Sequence, residues 1–137
     1  MQSDPYLLVL PRGDELITEL NRYATEHKLT GAWVNGLGGA GAVTLGYYEL
    51  KDQAYIWQDY DQPLEIVNLS GNLSWVDGQP HWHIHATVSD RDMQAYGGHV
   101  KRLEVGLTCE LLITPLSQAF TREPDAETGL KLLSPTN

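Results

Sequence analysis

The sequence predicts an α+β domain: a mostly antiparallel, twisted sheet with one main flanking helix. Three observations predict it. Short β-branched and aromatic runs, broken by Gly, Asp and Pro, fill most of the 137 residues. One segment, residues 14–28, carries apolar residues at helical spacing instead. No repeat, low-complexity segment or linker divides the chain, so residues 1–137 read as a single domain long enough to bury a core.

The elements follow in order. Residues 6–10, "YLLVL", are apolar and end at Pro11, which reads as a strand. In "DELITELNRYATEHK" (14–28), Leu16, Ile17, Leu20, Tyr23 and Ala24 fall on one helical face. Asp14 is the expected N-cap, Glu15 suits the first turn, and His27 and Lys28 suit the last, where positive charge opposes the helix dipole. Gly31 is the expected stop signal. Strands are predicted over 32–37, 42–50, 54–60, 64–76, 81–88 and 107–114, with a turn at "SDRD" (89–92) and a returning strand at "GGHV" (97–100). The tail, 121–137, is polar apart from Leu130, Leu132 and Leu133, and is expected to dock late.

Composition excludes several function classes. Hydrophobic residues make up 42% of the chain, which is globular and not disordered. No apolar run reaches membrane-spanning length. No export signal is visible at the N-terminus and Cys109 stands alone, so a cytoplasmic location is expected. Cys109 itself, flanked by apolar strand residues, reads as core. The formal net charge is −9, with nine basic residues scattered among eighteen acidic ones. DNA affinity comes largely from Lys and Arg neutralising phosphates, so no general DNA-binding surface is expected of the isolated chain.

"GLGGAG" (36–41) has the G-x-G-x-x-G spacing of a dinucleotide site. Such a site needs a helix next, to hold the pyrophosphate at its N-terminus; "AVTLGYYEL" follows instead and has strand character. The expectation is a tight glycine turn between two strands.

The chemistry-bearing stretch is "PHWHIHATV" (80–88), with "GGH" ending at His99. Four of the five histidines lie in this window. Side chains alternate along a strand, so His81, His83 and His85 share one face, and Trp82 and Ile84 the other. Residues two apart lie about 6–7 Å apart, close enough for a pair to share a metal, whereas His81 and His85, about 13 Å apart, cannot both join. The pair is therefore 81/83 or 83/85, with His99 as third ligand if the chain reverses at "SDRD". Three imidazoles plus water is the pattern of an open zinc site. The competing reading is a polar face lining a cleft or a subunit contact. Since neutral imidazole is the ligand, metal affinity is expected to fall as pH drops through the ordinary histidine range.

Outside that cluster, Arg12 follows the first strand, where it could clamp a carboxylate or form a salt bridge. Glu65, at a strand start, is a candidate general acid or base, and both are the candidate catalytic residues. Glu110, mid-strand in "TCELLI", is expected to be paired.

Taken together, "RGDEL" (12–16), "GLGGAGAVTLGYYE" (36–49), "LEIVNLSGN" (64–72), "HIHATVSDRD" (83–92), "GGHV" (97–100) and "TCELLI" (108–113) resemble the plant-and-prokaryote-conserved (PPC) domain family, in the family's order and over almost the whole chain. The resemblance implies an α+β fold and a homotrimer. Plant members join the domain to an AT-hook, a short basic element that reads the DNA minor groove; this chain resembles the prokaryotic single-domain type without one. The alternative function the family carries is a DNA-associated regulatory protein with structural histidines. A more distant similarity in fold is to acetolactate decarboxylase, which holds zinc with an H-x-H pair and a later histidine. That similarity implies His83, His85 and His99 as the metal ligands and leaves His81 as a neighbour. The combined expectation is a trimer with a zinc or other divalent site that binds or processes a small molecule; if an enzyme, a metal-dependent lyase or hydrolase.

Overall fold

A computed structural model describes residues 4–134. Among the described residues eight strands and one helix follow in the order β1 (Tyr6–Pro11), α1 (Leu16–Glu26), β2 (Gly31–Glu49), β3 (Ala54–Tyr60), β4 (Leu64–Val76), β5 (Gln79–Ser89), β6 (Ala95–Leu116), β7 (Arg122–Pro124) and β8 (Lys131–Leu133). The predicted α+β class holds. Six strands form one antiparallel sheet in the order β1-β6-β5-β4-β2-β3, and β6 pairs with β2 as well. The circuit β2–β4–β5–β6–β2 is thus closed, like a small barrel, with β1 and β3 added at its sides. β7 and β8 form a separate hairpin.

Alternation along the strands builds the core. On β5, Trp82, Ile84, Ala86 and Val88 are buried and the intervening side chains face outward. Leu69 and Leu73 of β4, Leu103, Val105, Leu111 and Ile113 of β6 and Val34 of β2 complete the same interior. The helix packs across β5 and β6 and buries Leu16, Leu20 and Ala24.

Two boundaries differ from the sequence expectation. The N-cap is Glu15, not Asp14. The Asp14 carbonyl instead accepts a hydrogen bond from the Val105 amide at 2.9 Å, so that residue belongs to the edge of β6. The Glu15 carboxylate accepts from the Ile17 and Thr18 amides at 3.0 and 2.9 Å and from the Leu103 amide at 3.2 Å, tying the helix start to the sheet. The helix stops at Glu26 with Lys28 in the left-handed region, whereas Gly31 begins β2.

The larger correction concerns "GLGGAG". It is no turn: β2 runs unbroken through it for 19 residues. Its pairing with β4 and β6 slips at Gly36/Gly38, Gly38/Ala40 and Ala40/Ala42. Such bulges bend a strand and raise its twist, which lets one strand serve both walls of the closed circuit. Gly38 has a φ of 155°, and a Cβ there would overlap the Thr108 carbonyl oxygen. β6 is likewise one strand of 22 residues, not the two short ones expected. The turn between β5 and β6 falls where expected; the Asp90 carboxylate holds it by accepting from the Asp92 and Gln94 amides.

Gly38→Ala is therefore expected to destabilise the protein by more than about 2 kcal/mol, since both the backbone conformation and the approach of β6 forbid a side chain. Urea unfolding would check this; a loss under about 0.5 kcal/mol would show that the bulge tolerates a methyl group.

Candidate metal centre

β5 presents His81, His83 and His85 on its outer face, as the alternation predicts. β6 returns beside it with His99 directly opposite His85. On its other side His99 pairs with Gly46 of β2. His83, His85 and His99 each bring one ring nitrogen to within 4.8 Å of the others. His83 Nε2 and His85 Nε2 are 3.0 Å apart, so one donates a proton to the other. Two nitrogens on one tetrahedral zinc at 2.0–2.1 Å per bond lie about 3.3 Å apart, so an ion could replace that proton with little movement. The Nδ1 of His99 is buried and has no hydrogen-bond partner among the described residues. A donor set of three imidazoles, two sharing one proton and the third with an unsatisfied nitrogen, fits a borderline-soft divalent ion. Of the two pairs considered, 81/83 and 83/85, it is His83 and His85 whose ring nitrogens come together with that of His99, and His81 is not in the group.

Burial, first of all, holds the His83 pKa down at about 4, with the charge of His85 and then of Arg122 adding to it. His99 is also lowered to about 4, again by burial first and by His85 next. His81 is lowered too, by burial and then by Arg122. Neutral, ligand-ready imidazoles thus persist at His83 and His99 well below the range expected from the sequence.

The surroundings are aromatic. Tyr55 and Trp57 of β3 stack at 4.5 Å, and Tyr55 lies 5.0 Å from the His99 ring. Gly46 makes room for them: a Cβ there would overlap the Trp57 ring. Lys101 sits over Trp57 at 4.8 Å. Arg122 reaches in from β7 and hydrogen-bonds Asn72 and Ser74 of β4. Sequence reasoning missed Tyr55, Trp57 and Arg122. The aromatic pair carried a weak signal in "AYIWQDY", whereas nothing in the polar tail singled out Arg122.

The other candidates lie elsewhere in the chain. Glu65 pairs with Ser89 and Gly39 at one end of the β4–β5 ladder, whereas His83 pairs with Asn72 further along it. It lines a largely apolar cavity of about 480 Å³ with Leu64, Asp90, Met93 and Leu107. Arg12 follows Pro11, which pairs with Thr108 in the other half of β6 from His99. Within one chain neither is brought to the histidines. Glu110 stands between Val9 and Leu37 on neighbouring strands and makes no ion pair among the described residues, contrary to the expected pairing. Cys109 is buried, as expected of a core residue, and burial pushes its thiol up to about 12.

A closed antiparallel sheet with one helix defines a class of fold, and comparison with known proteins agrees. Residues 1–117 match the Plants and Prokaryotes Conserved (PCC) domain, and the chain belongs to this family. A metal-containing protein from Archaeoglobus fulgidus is 34% identical, with a TM-score of 0.90 over 96% of this chain and 94% of that one. A Bacteroides thetaiotaomicron protein whose name carries a conjectured DNA-binding role is 26% identical, with a TM-score of 0.92 over 98% and 94% of the two chains. Among curated proteins, bifunctional protein GlmU from Synechococcus sp. (strain JA-3-3Ab) is 34% identical over 90% of this chain, which spans only 19% of that protein's length. Acetolactate decarboxylase from Bacillus subtilis subspecies spizizenii, 14% identical with a TM-score of 0.62 over 89% of this chain and 57% of that one, shares the fold alone. Among the described residues no helix is long and apolar enough to cross a membrane.

The lowered values have a consequence for acid stability. The unfolded chain takes up protons at His83 and His99 near their ordinary 6.5, the metal-free folded state only near 4. Between those values the unfolded state binds more protons, so stability is full above pH 6.5 and is lost as pH falls towards 4. Imidazole NMR of the metal-free protein should find both rings neutral at about pH 5.5; titration near the ordinary histidine value would contradict the burial argument.

Proposed function

We propose that this protein is a homotrimer that holds one divalent ion, zinc first among the candidates, between His83, His85 and His99, and binds or processes a small molecule there. The observation that carries the reading is the convergence of the three ring nitrogens within 4.8 Å. The name of the A. fulgidus relative, a metal-containing protein, supports it. Imidazoles also suit nickel, copper and iron. An ion held by three imidazoles keeps an open position that can polarise a carbonyl or activate water, the chemistry of a metal-dependent lyase or hydrolase. This chain's own residues would orient the ligand against the Tyr55–Trp57 wall. Glu65 and Arg12 enter as catalytic residues only if a neighbouring copy presents them, since within one chain they lie away from the triad.

Support for association comes from the face of β1, β6 and β2 opposite the core. Leu7 and Leu112 face each other across β1–β6, with Val9, Leu37 and Leu107 nearby, and all five are exposed. A patch of this kind marks an interaction surface. A second reading, DNA association with structural histidines, draws on the name of the B. thetaiotaomicron neighbour. The net charge of −9 opposes it, and submicromolar duplex binding with a steep salt slope would favour it.

Calorimetric titration of the metal-stripped protein should give one divalent ion per chain. His83→Ala or His85→Ala should abolish uptake, His99→Ala should weaken it severely, and His81→Ala should leave most of it. No uptake by wild type at micromolar zinc, or dependence on His81 without His85, would sink the assignment. Sedimentation equilibrium should return three times the 15.3 kDa chain mass, and a stable monomer would overturn the trimer.

A further inference from the structure

We infer that Arg122 makes the histidine pocket selective for small carboxylates, with its guanidinium receiving the carboxylate and the body of the ligand lying along Tyr55 and Trp57. The inference rests on the metal-binding proposal only in placing a ligand at this pocket.

A guanidinium has five N–H donors. In Arg122, Nε donates to Ser74 Oγ at 2.9 Å, one terminal nitrogen to the Lys131 carbonyl at 3.3 Å and the other to Asn72 Oδ1 at 3.2 Å. Two N–H groups remain, one on each terminal nitrogen, and are available to a carboxylate. All three partners are uncharged oxygens. The ion pairs among the described residues are those of Arg22, Arg102 and Lys131, so no carboxylate neutralises Arg122. In a chain with twice as many acidic as basic residues, no carboxylate among the described residues lies within ion-pair distance of this half-buried cation. Such a group is costly unless something pairs with it.

Its position ties the guanidinium to the histidines. Asn72 and Ser74 are the cross-strand partners of His83 and His81. Directly opposed residues project to the same face with Cβ atoms about 4.5–5.5 Å apart, so the guanidinium is pinned beside the triad. The segment that carries it is held in place: Tyr48 donates from its hydroxyl to the Thr128 carbonyl, Gln53 to the Glu127 carbonyl at 3.1 Å, and the Trp75 amide to the Phe120 carbonyl at 3.1 Å. A fork held ready in this way loses little freedom when it binds. Arg122 lies beyond residues 1–117, which match the family domain.

The test is calorimetric titration of the full chain with benzoate and with its neutral analogue benzamide, in zinc-supplemented and in metal-stripped protein. Arg122→Gln should weaken benzoate about tenfold to a hundredfold, leave benzamide unchanged, and leave zinc uptake equal or tighter, since a neighbouring cation is gone. Arg122→Lys keeps the charge without the fork and should fall between; it decides the matter if the Gln variant does not fold. Benzoate affinity equal in wild type and both variants, or no benzoate binding to wild type, would overturn the inference, and inorganic phosphate outcompeting benzoate would overturn the carboxylate assignment. If zinc is not taken up but benzoate still depends on Arg122 in the stripped protein, the metal proposal fails and this one stands.

Discussion

The double pairing of His99 is the constraint on which the rest depends. One edge of its backbone meets His85 of β5 and the other meets Gly46 of β2. At that point β6 closes the sheet, and at the same point a histidine is carried to the outward-facing pair on β5. Closure therefore places the third imidazole. β2 and β6 are correspondingly long, 19 and 22 residues, and their pairing runs from Gly31 and Leu116 to Gly46 and His99. The bulges around Gly38 let β2 bend far enough to do so, and the bare backbone of Gly46 lets the Trp57 ring approach. Packing, not loop geometry, fixes the site: all three histidines stand on strands whose opposite faces are buried core.

The electrostatics follow from the same arrangement. Partial burial keeps His83 and His99 neutral, and each further charge nearby, Arg122 included, adds to that preference. The neutral imidazoles of His83 and His99 beside the Arg122 guanidinium would suit an ion together with an anionic ligand, whose charges offset each other.

What could be read in the sequence was what depends on local period. Alternation placed His83 and His85 together with Trp82 and Ile84 behind them, and the short "SDRD" turn implied that His99 returns alongside. The helix was legible from its apolar face. The long strands were not, because Gly36, Gly38, Gly39 and Gly41 have the composition of a turn, and only the close approach of β6 shows why the strand needs Gly36, Gly38 and Gly39 there. The N-cap shifted by one residue for a similar reason: Asp14 is claimed by a pairing with β6 that local sequence does not reveal. Arg122 was invisible because its partners, Asn72 and Ser74, are distant in sequence and its own segment is polar and short.

The central claim is that three imidazoles of this one face hold a metal ion. X-ray absorption at the metal edge of zinc-loaded protein tests it most directly. The account predicts nitrogen scatterers at about 2.0–2.1 Å with the outer-shell signature of three imidazoles, reduced when His99 is replaced by Ala. A first shell of oxygen alone, or one unchanged by that replacement, would contradict it.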